Sequence, residues 1–556
     1  MTSADLAIGP IERAAGALRA LLSRGWAVLG AILILAALLR LIGLESRGRF
    51  DGDQGHDVLV LLRLVQDGTL PLLGPPTSIG DFHHGASYYY LLAPIAWLSG
   101  ADPTAVVAWI ATLGIAAVAA TWWFARMVGG PDVAAIAGLL MAVSPAAIEE
   151  STFIWNPNPI PLFAALALGC AWRAHAGGSA RWWVPAIVAA GMVFQLHVLG
   201  VVFLPPILAL AIAGAIRARR AGDRARVVAI GRATAGGLVL AALLFVPLLV
   251  HELGSGFEET RHVVDYLAGG GDEEAPDRNP VLRLAITLLR LVGWPLAGLV
   301  TEAPVASLAV VAATVVLGAR LAVAGRGSDR TVARWLGGTI LWSTVALTIL
   351  APSLQTVVVG LPNDHYHAFL DPIVVVLVAL GAQAVAGGPE RSGRAGDARV
   401  AIVSRSVVTI ALAALVVLDV RLAPPPDPNG GWPLARAAGA RIVADWPGPF
   451  DVRQLPVFKT AEGVGFAIIA AGGDASVATD PESADRVVDP DATLVIACDR
   501  LFEDVMGAAC DGAAESEYLG RIGADYRHYP SVVRFDLSPR ISVSVYQPNT
   551  GAAAGG

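Results

Sequence analysis

A short stretch near the N-terminus, FDGDQGHDVL (residues 50–59), holds several side chains that are capable of proton transfer. It carries three carboxylates, Asp51, Asp53 and Asp57, and the imidazole of His56, directly after the first long apolar run. A positioned carboxylate is a general base for a hydroxyl nucleophile, and ionisable groups at a membrane edge are candidates for function. Two simpler interpretations stay open: Asp51 and Asp57 are solvated loop acids, or Asp57 begins the helix DVLVLLRLV.

Further candidate residues are far apart in the chain but also follow or precede apolar runs. They are His83, His84 and the tyrosine triplet at 88–90; Asn156 and Asn158 in TFIWNPNPIP; His251 and Glu252; and His365, Tyr366 and His367 in NDHYHAF. Each has a structural alternative: interfacial hydrogen bonding for the histidines, an aromatic belt for the tyrosines, and Asx-Pro turns for WNPNP. Their common position at one membrane face favours function over these alternatives.

The composition is that of a polytopic membrane protein. The 556 residues are 55% hydrophobic and 15% charged, whereas soluble domains average about 25% charged residues. Mean hydropathy is +0.61. The net charge of −7 excludes the basic surface that nucleic-acid binding requires.

The positions of the arginines predict the orientation of the chain in the plasma membrane. Short arginine-rich loops should be cytoplasmic, and residues 1–25 have no signal cleavage site, so the first span is retained. The predicted path has about eleven spans, near 26–44, 102–125, 133–148, 159–173, 182–196, 198–216, 228–250, 303–322, 335–351, 368–387 and 402–420. It places the candidate residues outside the cytoplasm, and segments 87–98 and 281–296 are expected to lie in the interface.

Hydropathy falls after the last span, which divides the chain. Residues 1–422 form the membrane domain, APPPDPNGGWP (423–433) is a stiff linker, and 434–548 form a small extracytoplasmic α/β domain before a disordered tail at 549–556. The setting favours a disulfide between Cys498 and Cys510, with two free thiols as the alternative.

Three of these motifs together resemble the GT-C glycosyltransferases, in particular the family 39 type that includes aminoarabinose transferases of lipid A and protein O-mannosyltransferases. The motifs are DGDQGHD, LPLLGPPTSIGDFHHGASYYYLLAP and FIWNPNPIPLFAALAL. The resemblance covers roughly residues 26–420. It implies a polytopic helical enzyme that moves a sugar from a polyprenyl-phosphate donor to a glycan, lipid or protein acceptor at the outer membrane face, with inversion.

The resemblance also implies roles for particular residues. The motif's acid falls on Asp53, the expected base, while its following Glu becomes Gln54. A phosphate-contacting Lys is replaced by His84, and a second acid is replaced by Asn158. The predicted substrate-binding residues are Asp51, Asp57, His84, Tyr89, Asn156, Asn158, His365, Tyr366 and His367. Some relatives bind a divalent metal, for which His83, His251 and Glu252 are the candidates.

Two other classes of function remain as alternatives. One is a transporter or lipid flippase that uses the same cavity without chemistry, although such folds usually place charges at the membrane midplane. The other is an envelope receptor or assembly protein that acts through its C-terminal domain.

Overall fold

A computed structural model describes most of the chain. The described residues are 25–77, 81–270, 278–356, 364–387, 397–423, 431–457, 461–479, 481–510, 512–524 and 527–549. Residues 1–24, most of the predicted linker and all of the predicted tail except Asn549 therefore lie outside the described residues.

The membrane domain is a bundle of apolar helices joined by short connections. Its helices are α1 (Trp26–Leu41), α2 (Gly52–Gln66), α3 (Ser87–Ser99), α4 (Pro103–Val143), α5 (Pro145–Glu149), α6 (Ile160–His175), α7 (Trp183–Leu196), α8 (Leu204–Arg220), α9 (Arg224–Leu243), α10 (Val246–Ser255), α11 (Glu258–Asp265), α12 (Pro280–Ala297), α13 (Pro304–Ala324), α14 (Gly327–Leu350), α15 (Asp371–Gly387) and α16 (Asp397–Leu422). Within the described ranges, 8 helices are long and apolar enough to cross a membrane, and three shorter apolar helices accompany them.

Helix α4 contains two of the predicted spans, joined at a break in the helix. Gly130 has φ 84 and lies directly before Pro131, so the helix breaks there. Glycine adopts this backbone conformation without a side-chain penalty, and proline removes an intrahelical hydrogen bond. The break divides α4 into two helical arms, which correspond to the spans predicted near 102–125 and 133–148.

The arginine-rich loops meet at one end of the bundle, which we call the arginine-rich end. Arg226 donates to the backbone of Gly178 and Ala174, and Arg217 contacts His175. These contacts join two of the loops that sequence analysis assigns to the same membrane face. The number of helices that cross the bilayer stays a prediction.

Helix α12 contacts the segment that carries Gln355 and Asp364. Arg283 donates to Gln355, Arg290 contacts Asp364, and Gly298, just after the helix, lies beside Pro145. Gln355 and Asp364 belong to a segment that sequence analysis places outside the cytoplasm. The helix is a candidate span by length and composition, so the interfacial position predicted for 281–296 stays a prediction.

The C-terminal domain is built on a mixed five-stranded sheet. Its elements are α17 (Gly431–Asp445), β1 (Phe450–Leu455), α18 (Glu462–Ala470), β2 (Ala475–Val477), α19 (Pro481–Asp485), β3 (Thr493–Asp499), α20 (Glu503–Met506), α21 (Ala513–Arg521), β4 (Ser531–Asp536) and β5 (Ile541–Gln547). The strand order is β2-β1-β3-β5-β4. Strand β1 pairs in parallel with β2 and β3, whereas β5 pairs antiparallel with β3 and β4.

The sequence-based account of this domain needs one correction and gains one confirmation. Helix α17 begins at Gly431, inside the predicted linker. Cys498 and Cys510 form a disulfide with a Cα–Cα distance of 5.5 Å, as the extracytoplasmic assignment favours.

Candidate active site

Helix α2 carries the acidic motif, and its start is fixed by Asp51. The Asp51 side chain accepts from the backbone N–H of Asp53, and the Gln54 side chain accepts from the backbone N–H of Asp51, which forms a capping box. The helix therefore begins at Gly52, so the alternative in which Asp57 starts it is wrong. Asp51 has a structural role as a cap, while the Asp53 side chain is exposed in the first turn.

Asp57 is buried and held by two tyrosines. Its side chain is 2% exposed, and the hydroxyls of Tyr88 and Tyr89 donate to its two carboxylate oxygens, each at 2.9 Å. Burial raises the pKa of Asp57 to about 7, although His56 and the two tyrosine hydroxyls oppose that rise. Since both oxygens accept hydrogen bonds and the group is shielded, Asp57 joins α2 to α3, and its predicted contact with substrate stays a prediction.

A cluster of rings lies beyond α3, where His84, His197, His365 and Tyr366 meet. The His84 and His197 ring centroids are 4.6 Å apart, and His197 lies 5.5 Å from His365 and 5.0 Å from Tyr366. In the sequence, His84, His197 and the adjacent pair His365 and Tyr366 lie more than a hundred positions apart. The structure therefore brings together predicted site residues from the first loop and from the segment before α15.

The hydrogen bonding of His84 determines which ring nitrogen carries its proton. Nδ1 of His84 accepts from the backbone N–H of Val198 at 3.3 Å. Burial, with the nearby His197 and His83, holds the pKa of His84 well below its usual range. The ring is therefore neutral near pH 7 with its proton on Nε2, so it offers one N–H donor and no charge.

The loop between α5 and α6 connects these groups. Gln54 donates to the backbone of Ile154, and the Trp155 ring lies 4.1 Å from that of His365. Asn156 donates to the carbonyl of Leu196, which places it beside the ring cluster.

Asn158 is placed less directly than Asn156. Its Nδ2 donates to the carbonyl of Phe153 within the same turn. Its Oδ1 is buried without a hydrogen-bond partner among the described residues, so the turn and substrate interpretations both remain.

His367 belongs to a separate ion-pair network. Arg290 donates to both carboxylate oxygens of Asp364, at 2.9 and 2.6 Å, and Nε2 of His367 lies 3.2 Å from Asp364. Arg290 is 3% exposed and His367 is fully buried. Because Asp364 already neutralises it, Arg290 is not available as a counterion for a lipid phosphate.

Two of the predicted metal ligands, His83 and Glu252, contact helix α11. Nδ1 of His83 lies 2.9 Å from Glu259, and Glu252 accepts from the backbone N–H of Thr260. Oε2 of Glu252 and Nε2 of His251 are buried without hydrogen-bond partners in the described part of the chain.

These contacts do not assemble a metal centre. No group of three or more His, Cys, Asp or Glu side chains in the described ranges has metal-binding geometry. The side chains of His83, His251 and Glu252 therefore do not form a complete metal site as they stand. Binding of a divalent metal stays a prediction.

The C-terminal domain packs directly on helix α2. A Cβ added to Gly55 would fall closer than 3.0 Å to the backbone of Glu462 and Gly463, so the two backbones are in contact there. Around this contact, Phe50 packs against Trp432 and Phe466 with ring centroids 4.9 and 6.1 Å apart.

The same docking surface contains an ion pair. Both carboxylate oxygens of Glu462 lie 3.0 Å from Nδ1 of His56. The Glu462 side chain is 3% exposed and that of His56 is 29% exposed.

Sequence analysis did not identify Glu462, Gly55 or Glu259 as site residues. Glu462 and Glu259 lie in unremarkable local sequence, and their partners are far away along the chain.

The first part of the chain matches a family model. Residues 83–251 match the model described as dolichyl-phosphate-mannose-protein mannosyltransferase. No curated protein matches the chain.

Several solved structures share the fold over nearly the full length. ArnT from Cupriavidus metallidurans in the apo state is 13% identical with a TM-score of 0.56, covering 94% of this chain and 98% of ArnT. The same protein bound to undecaprenyl phosphate is 13% identical with a TM-score of 0.55, covering 96% and 99%. The archaeal oligosaccharyltransferase AglB from Archaeoglobus fulgidus, in complex with an inhibitory peptide and a dolichol-phosphate, is 12% identical with a TM-score of 0.51, covering 95% and 74%.

The chain therefore has the fold of the GT-C glycosyltransferases and is a multi-helix membrane protein. This confirms the resemblance that the three sequence motifs indicate. The fold similarity extends to the C-terminal domain, which sequence analysis could not relate to any known protein.

Proposed function

We propose that this protein transfers a sugar from a polyprenyl-phosphate donor to an envelope glycan, lipid or protein acceptor at the extracytoplasmic membrane face. The observation that carries the proposal is the exposed carboxylate of Asp53, in the first turn of a helix whose other acids are committed to structure. The fold supports it, because ArnT is seen with undecaprenyl phosphate and AglB with a dolichol-phosphate.

Asp53 is the proposed general base. Asp51 caps α2 and Asp57 is shielded by Tyr88 and Tyr89, whereas Asp53 is open to a ligand. The Asp53 carboxylate takes the proton of the acceptor hydroxyl while that oxygen attacks the anomeric carbon. The bond from the anomeric carbon to the phosphate oxygen breaks on the opposite face, so the configuration inverts.

The leaving lipid phosphate gains charge as this bond breaks, and preorganised donors stabilise that charge. We assign this role to the Nε2–H group of His84, whose other nitrogen is held by the backbone of Val198. A neutral N–H group replaces the lysine of the related family. Binding of the polyprenyl-phosphate sugar should therefore depend on this N–H group and not on a positive charge at this position.

The test is transfer of labelled sugar from polyprenyl-phosphate donors in membranes that carry wild type, Asp53→Asn or Asp67→Asn at matched expression. Asp67 is an exposed acid at the other end of α2, which makes it a control for the loss of a surface charge. Transfer by wild type and Asp67→Asn, but not by Asp53→Asn, is the expected result. Absence of transfer from every donor in wild type would refute the proposed function.

A further inference from the structure

The contact between His56 and Glu462 has the geometry of a carboxylate–histidine pair. The carboxylate lies at Nδ1 and is buried, so it fixes the ring orientation and leaves Nε2 as the other polar atom of a partly exposed ring. Pairs of this kind serve as proton acceptors, with the carboxylate stabilising the imidazolium that forms. His56 follows Asp53 by three residues on α2, and residues at this spacing are neighbours on a helix surface.

The charges around His56 favour proton uptake over anion binding. Glu462 faces it from α18, and Asp53 and Asp57 face it from its own helix. Burial by itself lowers the pKa of His56, but the hydrogen bond and charge of Glu462, with the charges of Asp57 and Asp53, raise it overall. A phosphate would meet three carboxylates here, whereas an imidazolium is stabilised by all of them.

We propose that His56 and Glu462 form a dyad that removes from Asp53 the proton which Asp53 takes from the acceptor. This inference rests on the proposed function. In this step the Asp53 O–H bond breaks, an N–H bond forms at Nε2 of His56, and the imidazolium then releases its proton to water through its exposed edge. Asp53 returns to the carboxylate form for the next turnover, and Glu462 acts as a positioning residue supplied by the C-terminal domain.

The close packing at Gly55 shows that the contact between α2 and the C-terminal domain is specific. Gly463 is equally constrained, because a Cβ there would lie 2.8 Å from the carbonyl oxygen of Asp51. Two glycines thus bring the start of α18 against the start of α2, which sets the Glu462 carboxylate at the histidine. The transfer site is therefore incomplete without the C-terminal domain.

The test is the pH profile of transfer by full-length wild type, Glu462→Gln and a control, Glu515→Gln. Glu515 is a buried acid of the same domain that is paired with Arg534, so its substitution also removes a buried charge. The unprotonated His56 is the form that accepts the proton, so transfer rises with pH through the pKa of His56. Without the Glu462 charge that pKa falls, and the acid limb of Glu462→Gln should move to lower pH, whereas that of Glu515→Gln should stay where it is in wild type.

Chemical rescue separates a proton-transfer role from a structural one. His56→Ala should lose about tenfold or more in kcat with little change in KM, and added imidazole should restore the rate in proportion to its unprotonated fraction. An unshifted acid limb in Glu462→Gln, or a His56→Ala variant that imidazole does not rescue, would overturn the dyad while transfer by wild type still supports the proposed function. Absence of transfer by wild type would overturn both.

Discussion

The close packing at Gly55 predicts that one methyl group can weaken the docking of the C-terminal domain. In Gly55→Ala, the new Cβ would fall closer than 3.0 Å to the backbone of Glu462 and Gly463. Backbone atoms cannot rotate out of the way, so the cost lies at the upper end of the range for overpacking, about 3 kcal/mol. Alanine returns about 1 kcal/mol through its higher helix propensity, which leaves a net cost of about 2 kcal/mol.

That cost corresponds to about a 30-fold shift in the docking equilibrium. Hydrogen exchange in detergent should then be faster in α2 and α18 by a comparable factor, while the sheet of the C-terminal domain keeps its protection. The matched control is Gly236→Ala in α9, where an added Cβ meets nothing within 4 Å. Unchanged exchange of α2 and α18 in Gly55→Ala would refute the inferred backbone contact.

Three further predictions concern stability. The pKa of Asp57 is raised by burial from 3.8 to about 7, so the folded state binds this proton more tightly than the unfolded chain does. The free energy of unfolding of wild type should therefore fall by up to about 4 kcal/mol as pH rises from about 4 through 7. Thermal unfolding of Asp57→Asn should show a smaller pH dependence, and identical profiles would contradict the burial of Asp57. Arg290→Met leaves Asp364 buried without its guanidinium partner and should cost about 3–5 kcal/mol, and Arg290→Met/Asp364→Asn should recover much of the loss in the same melts. Replacing both Cys498 and Cys510 by serine opens a loop of 12 residues and should destabilise the C-terminal domain by about 2–4 kcal/mol, which proteolysis of that domain would detect; equal resistance with and without the disulfide would contradict this.

Local patterns in the sequence were sufficient for the fold class, a bundle of membrane helices with a small α/β domain. Apolar runs predict the spans, Gly130 and Pro131 mark the break in α4, and the extracytoplasmic assignment favours the Cys498–Cys510 pair. The strands β3, β4 and β5 coincide with the segments DATLVIAC, VVRFDL and ISVSVY, whose residue types favour strands. In each case the signal comes from residues close together in the chain.

The candidate site depends on contacts that local patterns do not contain. Whether Asp57 is solvated or buried depends on Tyr88 and Tyr89, which lie on another helix. The partner of His56 is Glu462, 406 positions away, and only the docking of two domains brings them together. Residue types therefore indicated the acidic motif, and the family resemblance selected Asp53 within it. The cap formed by Asp51 and the burial of Asp57 could be read only from the fold.

If Asp53 is the base for sugar transfer, its carboxylate is needed for turnover and not for binding of the lipid phosphate. The two roles separate when turnover and undecaprenyl phosphate binding are measured in purified wild type and Asp53→Asn. We expect kcat to fall by about 10²–10⁴-fold while the lipid phosphate binds with unchanged affinity. Turnover by Asp53→Asn at the rate of wild type would contradict the assignment of Asp53 as the base.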